Sequence, residues 1–127
     1  MHRMLYLAAP AMLGAVALLL PAASMAATGT VPARSGFTAF ATPTQASTPQ
    51  GVDVAADGNV WYSETSAGKI AVLRPDRSSA EYPLPDGGQP FILKAGKDGI
   101  WFTDQVHRAI GHLDPRSGAV VEYAIPS

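Results

Sequence analysis

A block of about 40 residues is written twice in this chain, and the repetition restricts the fold more than any other feature. Asp57-Gly58-Asn59-Val60-Trp61-Tyr62-Ser63-Glu64 returns as Asp98-Gly99-Ile100-Trp101-Phe102-Thr103-Asp104. Ala67-Gly68-Lys69-Ile70-Ala71-Val72-Leu73-Arg74-Pro75 returns as His107-Arg108-Ala109-Ile110-Gly111-His112-Leu113-Asp114-Pro115. Glu81-Tyr82-Pro83-Leu84-Pro85 returns as Glu122-Tyr123-Ala124-Ile125-Pro126. Short strands and turns at this period form the four-stranded blades of a β-propeller.

Each repeat divides into four strands. The first covers about 51–55 and 91–95. Asp57-Gly58 and Asp98-Gly99 follow, and Asp-Gly suits the positive φ angles of a hairpin turn. The second strand is 60–64 and 100–104, with Trp and the next aromatic on opposite faces. The third, 69–73 and 109–113, stops at Pro75 and Pro115. The fourth, 80–84 and 120–125, carries prolines that suit an outer edge. Upstream, Phe37-Thr38-Ala39-Phe40-Ala41-Thr42-Pro43 matches the fourth-strand pattern. The expected fold is therefore all-β and propeller-type, with two four-stranded blades, about 48–86 and 89–127, plus one extra N-terminal outer strand.

A closed propeller has about four to eight blades. Two blades leave their large flat faces open, including the Trp61 and Trp101 layers, and such apolar patches mark interfaces. The expectation is a truncated propeller whose missing blades would cover those faces. The alternative is self-association, with identical chains closing a ring head-to-tail.

The first 26 residues are of another kind. His2 and Arg3 precede an apolar run from Leu5 to Leu20, and Ser24-Met25-Ala26 supplies the small residues of a cleavage site. This reads as a signal peptide over 1–26. The run is short against the roughly 20 residues of a membrane span. The mature protein is thus expected in the periplasm or secreted, with no stable membrane anchor after cleavage. Residues 27–36 read as a flexible linker. Nine Lys+Arg against ten Asp+Glu give a net charge of −1, with no basic patch for nucleic acid. With no cysteine, disulfide scaffolds, thiolate zinc sites and cysteine nucleophiles are excluded.

Pro49-Gln50-Gly51-Val52, Asp57-Gly58-Asn59-Val60-Trp61-Tyr62-Ser63-Glu64, Gly68-Lys69-Ile70 and Glu81-Tyr82-Pro83-Leu84-Pro85 together form a specific pattern. It resembles the virginiamycin B lyase (streptogramin lyase) family of seven-bladed propellers, over residues 37–127. The resemblance implies magnesium-assisted opening of a cyclic depsipeptide ester by elimination, at one end of the propeller axis. It also implies catalytic His and Glu residues just before the inner strands of C-terminal blades, as in Glu-Pro-His-Gly-Ile or Pro-His-Ala-Ile, and a site-lining Tyr in the first blade. Here Gln50 stands at the Tyr position and Phe91 at its counterpart in the second blade, so neither slot holds a His. No catalytic residue and no metal ligand is assigned to this chain, and magnesium is implied by the resemblance alone.

The inner-strand residues Gln50, Asp53, Gln89, Phe91 and Lys94 are candidates for lining the channel mouth and binding a small polar ligand. Asp53 and Lys94 align one per blade, so an inter-blade ion pair is the plainer reading. His107 and His112 are five apart with Asp104 and Asp114 nearby, which suggests metal or acid–base work. Their positions toward the outer half of the blade favour packing roles. Glu64 and Asp104 recur after each Trp strand and read as braces that accept backbone N–H bonds in the following turn. Besides a lyase-like protein, two other functions fit the chain. One is a non-enzymatic module that binds a ligand or protein partner through the Trp faces or the axial mouth. The other is a metal-dependent sugar-lactonase-type propeller, for which only Asp53 and Gln50 offer inner-strand ligands.

Overall fold

The computed structural model describes residues 30–31 and 36–126. The segment read as a signal peptide lies outside those residues, as does most of the expected linker. Ten strands follow in order: β1 Thr30–Val31, β2 Ala39–Phe40, β3 Pro49–Val54, β4 Val60–Glu64, β5 Lys69–Leu73, β6 Ser79–Pro83, β7 Pro90–Ala95, β8 Ile100–Asp104, β9 Ala109–Leu113 and β10 Val120–Ala124. Strands β3 to β6 and β7 to β10 make two four-stranded antiparallel sheets, each in chain order. Two single turns of 3-10 helix, Thr65–Ala67 and Pro85–Gly87, are the helical elements among the described residues. The chain is all-β and built of two propeller-type blades, as the repeat requires.

The turns between the first and second strands carry the expected glycines. Gly58 and Gly99 have φ of 85° and 144°, conformations that cost other residues steric strain. In the first blade Ala55 donates its N–H to the Asn59 carbonyl, which leaves a three-residue loop around Asp57 and Gly58. Asp57 Oδ1 accepts the Asn59 N–H across that loop at 3.0 Å.

Upstream of the blades, only Ala39–Phe40 of the 37–43 segment is a strand, and it pairs with Thr30–Val31. The chain then runs across the first blade. Thr44 Oγ1 donates to Glu81 Oε1 at 2.7 Å, and the N–H groups of Thr65 and Ser66 reach the carbonyls of Thr48 and Ser47. Blade 2 receives its connector in the same way, Gln105 N–H donating to the Gln89 carbonyl.

The two blades stack with inner strand β3 beside inner strand β7. Between them lies a core of Trp61, Ile70, Val72, Leu84, Leu93, Ile100, Phe102 and Leu113, all buried. Burial of a side chain such as Leu93 or Phe102 contributes about 1.5–3 kcal/mol. Phe102 lies across β9 at Gly111, where a Cβ would come within 2.1 Å of its ring. Trp61 lies near Tyr82, ring centroids 5.7 Å apart, and the Tyr82 hydroxyl donates to the Pro115 carbonyl of the second blade at 3.3 Å.

The expectation that both Trp layers stand open is corrected here. Trp61 is only 4% exposed, whereas Trp101 is 36% exposed. The reason is directional. Equivalent side chains of successive blades point the same way, so blade 2 covers Trp61, while no further blade among the described residues covers Trp101.

Candidate functional site

Both inner strands break register at the same place. Pairing of β3 with β4 shifts between Pro49 and Val52, and pairing of β7 with β8 shifts between Pro90 and Leu93. Gln50 and Phe91 each stand one residue past the proline, inside these bulges. A bulge bends its strand and re-aims its side chains. It also frees a backbone N–H from the ladder, and a buried free N–H is costly. In the first blade Gly51 donates that N–H to Ser63 Oγ at 2.8 Å. In the second, Ile92 donates to Thr103 Oγ1 at 3.2 Å. The hydroxyl after the Trp–aromatic pair is thus the part that makes each bulge tolerable.

Ser63 does a second thing. Its hydroxyl donates to the Phe91 carbonyl at 2.8 Å, and Thr65 Oγ1 donates to the Pro90 carbonyl at 2.6 Å. The first blade therefore holds the entry to the second blade's inner strand by two hydroxyl bonds. Gly51 is part of the fit. A Cβ there would lie 2.4 Å from the Phe91 carbonyl oxygen and 3.1 Å from the Leu93 nitrogen.

Of the candidate lining residues, the structure brings Asp53 and Lys94 together. Lys94 Nζ is 3.6 Å from Asp53 Oδ2, and the same oxygen accepts the Ala95 N–H at 3.0 Å. Asp53 Oδ1 accepts the Val54 N–H at 3.0 Å. The Ala95 N–H holds the Asp53 carboxyl below its ordinary range, with Lys94 assisting against partial desolvation. Lys94 is 78% exposed, so solvent screens the ion pair and it contributes little to stability. Gln50 and Gln89 are exposed at the entry ends of their strands, and Phe91 is half-buried.

Magnesium prefers near-octahedral oxygen donors. Asp53 is the carboxylate on the inner strands β3 and β7, and both its oxygens are already taken by backbone N–H groups and Lys94. Beside it stand two neutral amides and an aromatic ring. The inner-strand residues of this chain do not fit a magnesium ion.

The two recurring carboxylates after the Trp strand behave differently. Asp104 is the expected brace: its Oδ1 accepts N–H groups from Gln89, Val106 and His107 at 3.2, 2.9 and 3.1 Å. Burial pushes its carboxyl up, but those three bonds outweigh burial and hold it below the usual range. Glu64 is fully buried and braces no turn. Neither of its oxygens has a hydrogen-bond partner of good geometry. Burial pushes it up to about 7, against the pull of the Ser47 hydroxyl and with the help of Glu81 beside it. Glu81 takes the salt bridge instead, 2.6 Å from Lys69 Nζ.

His112 packs as expected, its ring centroid 4.5 Å from that of Trp101. His107 does more than pack. Its Nδ1 lies 3.3 Å from Asp104 Oδ2 and 3.1 Å from Glu122 Oε2. Glu122 was absent from the residues singled out in the sequence, although its recurrence opposite Glu81 was visible there.

Two concavities lie elsewhere on the blades. A shallow apolar groove of about 170 Å³ lies on the open face of blade 2, lined by Ile92, Lys94, Trp101, Thr103 and Ile110 among others. A polar cleft of about 340 Å³ lies between the blades at the opposite end from the bulges, with Asp57, Asn59, Trp61, Lys97, Asp98 and Arg116 in its wall.

Residues 15–127 match the model of the virginiamycin B lyase family. The chain is 33% identical over 79 residues to a virginiamycin B lyase from Nocardia farcinica (strain IFM 10152), covering 61% of this chain and 28% of that protein. Among solved structures, the selenomethionine-substituted virginiamycin B lyase from Staphylococcus aureus superposes with a TM-score of 0.66 at 30% identity, over 75% of this chain and 33% of that one. A catalytically inactive variant of virginiamycin B lyase from Staphylococcus aureus with quinupristin gives 0.64 at 31% identity, over 69% and 30%. The chain thus spans about a third of the length of these relatives.

Proposed function

Since the chain belongs to the virginiamycin B lyase family, we propose that it forms two adjacent blades of an exported streptogramin lyase-like propeller and holds no proton-abstracting group at the channel mouth. The observation that carries this reading is the pair of bulges. They re-aim the residue one past each proline, and those residues are Gln50 and Phe91. Neither side chain can accept a proton, and elimination needs a base in reach of the proton it removes. Asp53, the neighbouring carboxylate, is bound by two N–H groups and a lysine. In this reading Gln50, Asp53, Gln89, Phe91 and Lys94 form one wall of the channel mouth. They hold a polar ligand in place, while acid–base groups and magnesium ligands come from blades other than these two.

Incubation of the full chain with quinupristin and magnesium ions tests the proposal, with ring opening followed by mass spectrometry. The expected result is an unchanged cyclic depsipeptide. Ring opening by this chain, lost in a Gln50→Ala or Asp53→Asn variant, would overturn it. Export is tested separately, by sequencing the N-terminus of the protein recovered outside the cytoplasm and looking for Ala27.

A second reading is a non-enzymatic module that binds a ligand or partner. It is favoured by the open groove around Trp101, Ile92 and Ile110. Saturable quenching of Trp101 fluorescence by a ligand that stays intact would favour this reading over the first.

A further inference from the structure

From the geometry we infer that Asp104, His107 and Glu122 form a binding site for a borderline divalent transition-metal ion such as Zn²⁺, separate from the inner-strand channel. The three side chains offer one ligand atom each, all within 4.8 Å of one another. The site is assembled from the end of β8, the turn that follows it and the middle of β10, and Asp104 ties it to the entry of β7 through the Gln89 N–H.

Three observations carry the inference. The first is that the ligand atoms are positioned and unused. Asp104 Oδ1 is fixed by three backbone N–H groups, which turns Oδ2 toward His107. Asp104 is 2% exposed, yet Oδ2 has no hydrogen-bond partner, and neither has His107 Nδ1. Buried polar atoms without partners are rare and costly.

The second is spacing. The separations from Nδ1 are 3.3 Å to Asp104 Oδ2 and 3.1 Å to Glu122 Oε2. Ligands about 2.0–2.2 Å from a tetrahedral zinc stand roughly 3.3–3.6 Å from one another, so small adjustments seat the ion. One nitrogen and two carboxylates are a zinc-type set with a fourth position left for water. They are a poor set for magnesium, which takes oxygen.

The third is a comparison within the molecule. The first blade has the same carboxylate pair, Glu64 and Glu81, and supplies it with the permanent charge of Lys69, 2.6 Å from Glu81. In the second blade Ala109 stands where Lys69 stands in the first. The pair Asp104 and Glu122 stands without that lysine, and an imidazole nitrogen lies between the two, 3.3 and 3.1 Å from their oxygens. His107 and Glu122 side chains are 27% and 20% exposed, which leaves a path for an ion from solvent.

The test is titration of the full, untagged and chelator-stripped chain with Zn²⁺ by calorimetry, repeated with Co²⁺ to read the ligand-field spectrum. The expected result is a single saturable site with a four-coordinate cobalt spectrum. His107→Ala and Glu122→Gln are expected to weaken it by well over the ~10-fold that disturbed neighbours of a metal ligand cause. His107→Ala places in blade 2 the residue that blade 1 has at Ala67, so its fold is expected to survive, and circular dichroism checks this. His112→Ala should leave binding unchanged. Absence of saturable uptake, or uptake unaltered by the first two substitutions, overturns the inference and leaves His107 as a packing contact between two carboxylates.

Discussion

Glu64 is the residue with the greatest cost attached to it. Its carboxyl is buried beside Glu81, Lys69 and Tyr62, and burial raises it to about 7. The raised value means that the folded state holds the proton more tightly than the unfolded chain does. Stability from this group is full below the unfolded value of 4.5 and is lost as pH rises through about 7. Glu64→Gln is therefore expected to flatten the pH dependence. Relative to the native chain it should gain on the order of 2 kcal/mol between pH 5 and pH 8. Urea midpoints of both proteins at the two pH values measure this, and parallel pH dependence would refute it. Gly51 sets a limit of a different kind. A methyl group there would meet backbone atoms of Phe91, Ile92 and Leu93, which cannot step aside as a side chain can. Gly51→Ala should destabilise by about 1–3 kcal/mol, read as a lower melting temperature, and an unchanged one would show that the inner strands can separate.

At the scale of elements, the hydroxyl of Ser63 joins one blade to the next. It accepts from Gly51 and donates to Phe91, so Ser63→Ala orphans a donor and an acceptor at once. The expected loss is about 1–3 kcal/mol, with faster amide exchange at Gly51 than at Ile92, whose Thr103 partner is intact. The strands themselves were legible in the sequence, because period-2 aromatics, Asp-Gly turns and terminating prolines are local signals. The Asp53–Lys94 pair was legible too, since the repeat places both on inner strands. The bulges were not, although Gly51 hinted at one, because a register shift depends on how two strands pair. Nor was the meeting of His107 with Glu122. They lie on a turn and an outer strand with β9 intervening, and only the repeat of Glu81 as Glu122 pointed there. The Trp layers needed the stacking direction, which the spacing of residues along one strand does not contain.

For the whole molecule, the asymmetry between the two tryptophans decides how it meets its surroundings. Trp61 is inside; Trp101, with Ile92, Val121 and Tyr123 also exposed, forms an apolar face on one side. The isolated chain is expected to associate through that face. Trp101→Glu should shift the mass measured by light scattering toward the monomer, and an unaltered mass would place association elsewhere. The hydroxyl device has a consequence for ancestry. A blade that carries its acceptor for the bulge and its donor for the next blade in one side chain brings the bond to its successor with it. Copying such a unit in tandem needs no matching side chain in that successor, because the acceptor there is a backbone carbonyl. Genes for chains of this kind can therefore gain or lose whole blades in one recombination event, and selection acts afterwards on ring closure.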